Sequence, residues 1–213
     1  MRLVLASQSP RRAELLDQMA LNFEVVVPDI DESQISGEIA PDYVGRLACE
    51  KAAVGLGMAA GAGGSVVVLG ADTVVVLEAR GGSTMGQPDE ILGKPRSPKE
   101  GKEMLRRLSG RDHLVHTGVA VTDGQRTESR VVSSRVFFRV LSDDEIQSYW
   151  QTGEGLDKAG SYGIQGFGGI LVERIEGSFS GVMGLPVTET EALLQSLDVD
   201  TWSMRNQWLK NSS

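Results

Sequence analysis

Arg11, Arg12, Lys51, Asp72 and Lys94 stand where a purely structural sequence would avoid charge. Arg11 and Arg12 fall in the first turn of a helix expected after Ser9-Pro10, with Leu15 and Leu16 as its apolar face. Free backbone N–H groups and the helix dipole already make that end positive. Two cations there call for an anion. Forked guanidinium donors beside free N–H groups and the loop Ala6-Ser7-Gln8 suit a phosphate; the alternative is a solvated pair on a surface helix. Lys51 lies in a 3-4 stripe with Val44, Leu47, Val54 and Met58. A lysine in such a stripe either snorkels to water or aims its ammonium into a polar cleft.

Asp72 interrupts VVVLGADTVVVL, where an ionised carboxylate is costly unless paired, hydrogen-bonded or bound to metal. The preceding Gly70-Ala71 leaves room for a ligand or for another stretch of backbone. A structural aspartate bonded to nearby backbone N–H groups is the alternative. Lys94, in Leu92-Gly93-Lys94-Pro95, is not a P-loop lysine, because the glycine spacing is wrong and Pro95 stands where Ser or Thr is needed. It is a cation on a loop leading to the Ser97-Pro98 helix. Asp29, Asp31 and Glu32 follow a short strand and either hold a divalent cation through oxygen ligands or form a solvated loop. Other machinery is missing. His113 and His116 would point to opposite faces of one strand, no nucleophile elbow occurs, and Gly166, Gly168 and Gly169 lack the context of a dinucleotide fingerprint.

The elements that position these residues follow from pattern and punctuation. Strands are expected over Leu3–Leu5, Val25–Val27, Val66–Leu77, Leu114–Val121, Val131–Leu141 and Gly169–Ile175. Helices are expected over Pro41–Met58, from Ser97-Pro98 with a capping-box Glu100 to Gly110, and from Ser142 with Glu145 to Gly153. A last helix is expected from Thr188 with Glu191, bearing Leu193, Leu194 and Leu197. The residues after Leu197 read as a polar tail that docks weakly or stays disordered. GAGG at 61–64 and the run Ala79–Pro88 read as surface loops, not linkers. Adjacent strands near 114–141 lack a crossover helix, so the sheet is mixed in an α/β or α+β chain.

Composition narrows the class. The 213 residues, 40% of them hydrophobic, suffice for one sizeable core folded as two lobes. A net charge of −8 argues against a nucleic-acid or acidic-membrane binder. The single Cys49 excludes an intramolecular disulfide framework and suits a packed thiol in a reducing cytosol. No signal-peptide core or bilayer-length apolar run is present, so a cytoplasmic location is expected.

LASQSPRRAELL, Glu32, Lys51, GADTVV, GKP, DKAGSYGIQG and SFSGVMGLPV together resemble the Maf family of nucleotide pyrophosphatases, from about residue 3 to residue 195. The resemblance implies a mixed α/β fold shared with inosine-triphosphate pyrophosphatases. That fold is two-lobed, an elongated mixed β-sheet flanked by helices with the site in a central cleft. It implies one domain over 1–197 and a tail over 198–213. It also implies hydrolysis of a nucleoside triphosphate to monophosphate and pyrophosphate with a divalent metal, magnesium or manganese. By that resemblance Asp72 is the proton acceptor, Ser7, Arg11, Arg12, Lys51 and Lys94 bind phosphates, and Glu32 joins Asp72 on the metal side. The YGIQG around Gln165 is similar to the branch acting on dTTP and UTP, with Arg11, Thr73 and Gln165 shaping base choice. Ser134 replaces the family's usual threonine, and the Ala79–Pro88 loop is longer than usual. No nucleic-acid or membrane partner is implied, and a homodimer is allowed. A nucleotide-binding regulator of septum formation and a house-cleaning pyrophosphatase of modified nucleotides are the rival readings.

Overall fold

The chain forms a mixed α/β structure, and the computed structural model describes residues 1–60, 63–78 and 89–211. The Ala79–Pro88 loop and the first two residues of GAGG lie outside the described residues. The strands are β1 (Arg2–Ala6), β2 (Glu24–Val26), β3 (Val66–Leu77), β4 (Glu90–Leu92), β5 (Asp112–Thr122), β6 (Thr127–Phe138) and β7 (Val172–Glu176). The helices are α1 (Pro10–Gln18), α2 (Ala40–Ala59), α3 (Pro98–Leu108), α4 (Asp143–Gln151), α5 (Phe179–Met183), α6 (Val187–Ser196) and α7 (Thr201–Asn211). The sheet runs β2-β1-β3-β5-β6-β7, with β4 paired to β3 off that path. β1 lies parallel to β2 and β3, and such pairs need the crossovers that α1 and α2 provide. β4 is antiparallel to β3 and β7 to β6.

The chain divides into two compact units. The first holds Met1–Asp72, Thr117–Val132 and Gly184–Ser213; the second holds Thr73–His116 and Ser133–Met183.

In the first unit α2 packs unusually close to its strands, and glycine makes this possible. A Cβ on Gly55 would lie 2.6 Å from Ala6 Cβ, on Gly70 2.4 Å from the Ala48 carbonyl oxygen, and on Gly118 2.3 Å from that of Val44. The space beside Gly70 thus receives another backbone, that of α2. Close approach also corrects the expected stripe. Val44, Leu47 and Lys51 are buried, but the buried face continues through Ala48, Ala52, Gly55 and Ala59, while Val54 and Met58 are exposed. A helix lying this near a sheet has room for small side chains only. Cys49 packs beside Ala48, Ala52 and Ala120. After α6, the expected loose tail forms α7, fastened by Arg205, which bonds the Met19 carbonyl at 3.0 Å and pairs with Glu191 at 2.7 Å. Glu191 is committed to this pair and to Thr201, and the cap of α6 is Pro186, so the expected Thr188 cap is absent.

In the second unit, His113, Phe138 and Tyr162 pack edge-to-face, with centroids 4.8–5.4 Å apart. Both α3 and α4 start as their sequences predict. Ser142 and Glu145 complete a reciprocal capping box. Ser97 accepts the Glu100 N–H, but the Glu100 carboxylate turns to the Arg96 N–H at 2.7 Å, leaving that box half-formed. Where a strand is expected from Gly169, a 3₁₀ turn over Phe167–Leu171 comes first and β7 begins at Val172. Glycines in that stretch favour the tight turn over extended pairing. Among the described residues no helix is long and apolar enough to cross a membrane.

Candidate active site

Three neighbouring pieces of the first unit deliver the charged residues: the β1–α1 junction, the middle of α2 and the end of its share of β3. Ser9 occupies the N-cap position of α1 with extended backbone, yet its side chain makes no capping bond. Its N–H instead donates to Ser7 Oγ at 3.1 Å. The same Oγ accepts Arg12 Nη1 at 3.2 Å, while Arg12 Nε donates to the Gly184 carbonyl at 2.8 Å. Arg12 is therefore buried and aimed by two acceptors. Burial lowers its pKa, the Asp72 charge raises it, Arg11 lowers it further, and Glu32 raises it. These interactions put Arg11, Arg12, Glu32 and Asp72 in one electrostatic neighbourhood. Arg11 itself is half-buried.

Lys51 does not snorkel. It is only 7% exposed and Asp72 only 8%, and their Nζ and Oδ1 atoms stand 2.6 Å apart. Glu32 Oε1 approaches the same ammonium at 2.6 Å from a side chain that is 52% exposed. One buried cation thus joins a buried carboxylate to a solvent-facing one. The pairing offsets the cost of burying Asp72, and the close seat of α2 on Gly70 brings Lys51 within reach. The acidic run otherwise diverges: Asp31 accepts the Ser33 N–H at 2.9 Å, and Asp29 is exposed.

Two residues overlooked in the sequence hold Glu32 in place. The Tyr43 hydroxyl donates to the Glu32 carbonyl at 2.6 Å; burial, then Asp72 and Glu32, push its pKa up. Arg46 forks onto Glu38 at 2.7 and 2.8 Å and reaches the Ser33 carbonyl at 3.1 Å, tying the segment before α2 to the helix. Hydrogen bonding to Glu38 raises the Arg46 pKa. An arginine three residues after a tyrosine at a helix start is the faint signal that was available.

Lys94, Thr73 and Gln165 belong to the second unit. Lys94 is exposed and lines an open cavity of about 740 Å³ that also takes in Arg96, Lys99 and Arg107. Of these, Arg96 is paired with Glu100 and Arg107 with Glu90. Thr73 follows Asp72 on β3 and is half-buried, while Gln165 is exposed on a glycine-rich loop. Ser134, in place of threonine, uses its hydroxyl fully: it accepts the Ser178 N–H at 2.9 Å and lies 3.2 Å from the Ser178 carbonyl as donor. His113 and His116 have separate partners, Tyr162 and Ser133.

Glu32 and Asp72 offer oxygen donors already gathered on a single cation, the donor type a hard divalent ion prefers. Among the described residues no group of three or more His, Cys, Asp or Glu converges. Two carboxylates fit an ion that takes its other ligands from phosphate and water.

The family model for Maf-like proteins matches residues 2–197. A dTTP/UTP pyrophosphatase of Vibrio parahaemolyticus is 50% identical over 193 residues, covering 91% of this chain and 95% of its own. One of Shewanella oneidensis is 50% identical over 204 residues, covering 93% and 100%. One of Hahella chejuensis is 49% identical over 202 residues, covering 95% of each. Similarity at this level, along nearly the whole chain, means that the chain belongs to the family of Maf-like proteins.

Proposed function

We propose that this chain hydrolyses dTTP and UTP to the monophosphate and pyrophosphate. The observation that carries the reading is the buried Lys51 ammonium shared by Asp72 and Glu32, beside Arg12 at the start of α1. A triphosphate needs its charge neutralised and its chain held in line, and cations at a helix N-terminus do both. In this reading Arg11, Arg12, Lys51, Lys94 and the Ser7 hydroxyl bind the phosphates. Asp72 takes a proton from water as its oxygen bonds to the α-phosphorus, and the bond to the bridging oxygen breaks to release pyrophosphate. Glu32 and Asp72 would hold magnesium or manganese, which when bound supplies further charge neutralisation for the phosphates. The names of the relatives support pyrimidine substrates. Gln165 is assigned to the base edge, with Thr73 and Arg11 shaping its surroundings. The free Cys49 is in keeping with a cytoplasmic setting.

A panel of nucleoside triphosphates, with magnesium or manganese and pyrophosphate release as readout, tests this directly. dTTP and UTP should be cleaved well, CTP poorly and purine nucleotides least. Equal efficiency on every base would remove the base assignment and leave the pyrophosphatase standing. In isotopically labelled water the label should enter the monophosphate; label in pyrophosphate alone would move the attack to the β-phosphorus.

A further inference from the structure

The loop over 163–169 reads Gly-Ile-Gln-Gly-Phe-Gly-Gly, and a segment so rich in glycine has little shape of its own. Its internal bonds are sparse: Gly169 N–H meets the Gly166 carbonyl at 3.0 Å, and Gly166 N–H that of Gly163 at 3.4 Å. What shapes it is a single carboxylate. Glu154 Oε2 accepts the Phe167 N–H at 2.7 Å, and Oε1 accepts the Gly168 N–H at 2.9 Å. Oε1 also accepts the Tyr149 hydroxyl at 3.0 Å, and that hydroxyl in turn accepts the Gly163 N–H at 3.0 Å. The loop is thus clasped on both sides of Gln165, directly through Glu154 and indirectly through Tyr149.

The glycines leave space for the acid. A Cβ on Gly166 would lie 2.1 Å from Glu154 Oε2, and one on Gly163 3.1 Å from Oε1. Glu154 is itself fixed at both backbone ends: its N–H donates to Thr152 Oγ1 at 3.2 Å, and its carbonyl accepts Lys158 Nζ. In the middle of the clasp Gln165, Gly166 and Phe167 stay exposed.

We propose that Glu154 is a positioning residue for substrate choice, holding the 163–168 backbone so that Gln165 meets the base in one orientation. The proposal rests on the assignment of Gln165 to the base edge. A glutamine amide turns about its own side-chain bonds to suit either uracil or cytosine, so a fixed neighbouring donor has to set its direction. Backbone N–H groups of this loop can do that only where the clasp holds them, and discrimination then depends on the clasp as much as on the amide. Charge-assisted bonds from two consecutive N–H groups suit this task.

Glu154→Gln keeps the size but sets an NH₂ against one of the two backbone donors. The ratio of kcat/KM for UTP over CTP should fall about tenfold, through KM for UTP, with kcat little changed. In a Gln165→Ala background the same substitution should produce no further fall. An unchanged ratio in Glu154→Gln, where Gln165→Ala lowers it, overturns the proposal; so does an equal loss on all nucleotides. If Gln165→Ala leaves the ratio intact and Glu154→Gln lowers it, the Gln165 reading fails and another loop group is what Glu154 positions. Should Glu154→Gln not fold, Tyr149→Phe releases the Gly163 side of the same clasp and should lower the ratio likewise. Amide exchange in the unmodified protein gives an independent reading: the Phe167 and Gly168 N–H groups should be protected, and fast exchange at both would overturn the proposal.

Discussion

The Lys51 cluster and the Glu154 clasp solve opposite problems with similar chemistry. In the first, charged side chains are carried on regular elements, and the backbone of α2 and β3 fixes where they point. In the second, one charged side chain fixes where an irregular backbone goes. A phosphate chain is common to all nucleoside triphosphates, and its contacts can be built into rigid elements. A base differs between substrates, and in the proposed reading it meets a loop that one carboxylate holds. Substitutions at Arg12, Lys51 or Asp72 in the first region should therefore lower turnover on every nucleotide alike, whereas those in the second should alter the ratios.

The largest effect is expected from Asp72→Asn, which should cost about two to four orders of magnitude in kcat, or about 3–5 kcal/mol of barrier. Affinity for an anionic nucleotide should hold or improve. Turnover like that of the unmodified protein would return the chain to the regulator reading, which requires no carboxylate aimed at water. Next comes Gly70→Ala. Its Cβ would stand 2.4 Å from one α2 backbone atom and 2.6 Å from another, so neither can yield by a rotamer change. A loss of about 3 kcal/mol in urea unfolding should accompany lower turnover on all bases, and an unperturbed midpoint would show that α2 can lift from β3.

Arg12→Lys should cost about 1–3 kcal/mol of transition-state stabilisation, because an ammonium cannot span Ser7 Oγ and the Gly184 carbonyl as the guanidinium does. Base ratios should stay as they are; a shift in them would blur the contrast between the two regions.

The smallest effect sharpens the second region. His113 donates to or accepts from the Tyr162 hydroxyl at 2.8 Å, immediately before Gly163. Burial, opposed by Asp112 and reinforced by Arg111, lowers its pKa to about 3. The unfolded chain takes up a proton near pH 6.5 that the folded chain refuses until near pH 3, so this contribution is full above about pH 6.5 and is lost as pH falls. At about pH 5.5 the loss should be about 1.4 kcal/mol. His116 is shifted the same way by burial, so His113→Gln is needed to separate the two. Urea midpoints at about pH 7.5 and 5.5 that differ as much in His113→Gln as in the unmodified protein would clear His113 of this role.

Much of the Lys51 cluster was legible because its signals are local. Ser9-Pro10 announces a helix start, and a charge inside VVVLGADTVVVL announces a buried partner. The errors share one cause. The silent Ser9 side chain, the outward turn of Val54 and Met58 and the unused Thr188 cap were each decided by contacts beyond the local pattern. That pattern said cap or stripe; Ser7, Gly70 and Pro186 decided otherwise. Tyr43, Arg46 and Glu154 went unread for a related reason. Their work is to hold backbone that other residues decorate, and a side chain bonded to main-chain atoms leaves no mark in the residue types around it. Even so, four glycines within seven residues asked what would give that loop a shape.

The bond from Arg12 to the Gly184 carbonyl joins positions 172 apart in the chain. Ser7, Glu32, Lys51 and Asp72 all lie within the first 72 residues, so during synthesis they are available long before the carbonyl that aims Arg12 has been made. The carboxylates and their ammonium can meet early; the arginine waits for nearly the whole chain. A polypeptide interrupted before residue 184 would keep these charged groups and lack the backbone oxygen that orients Arg12. Completion of the chain is then a condition of the geometry as well as of the fold.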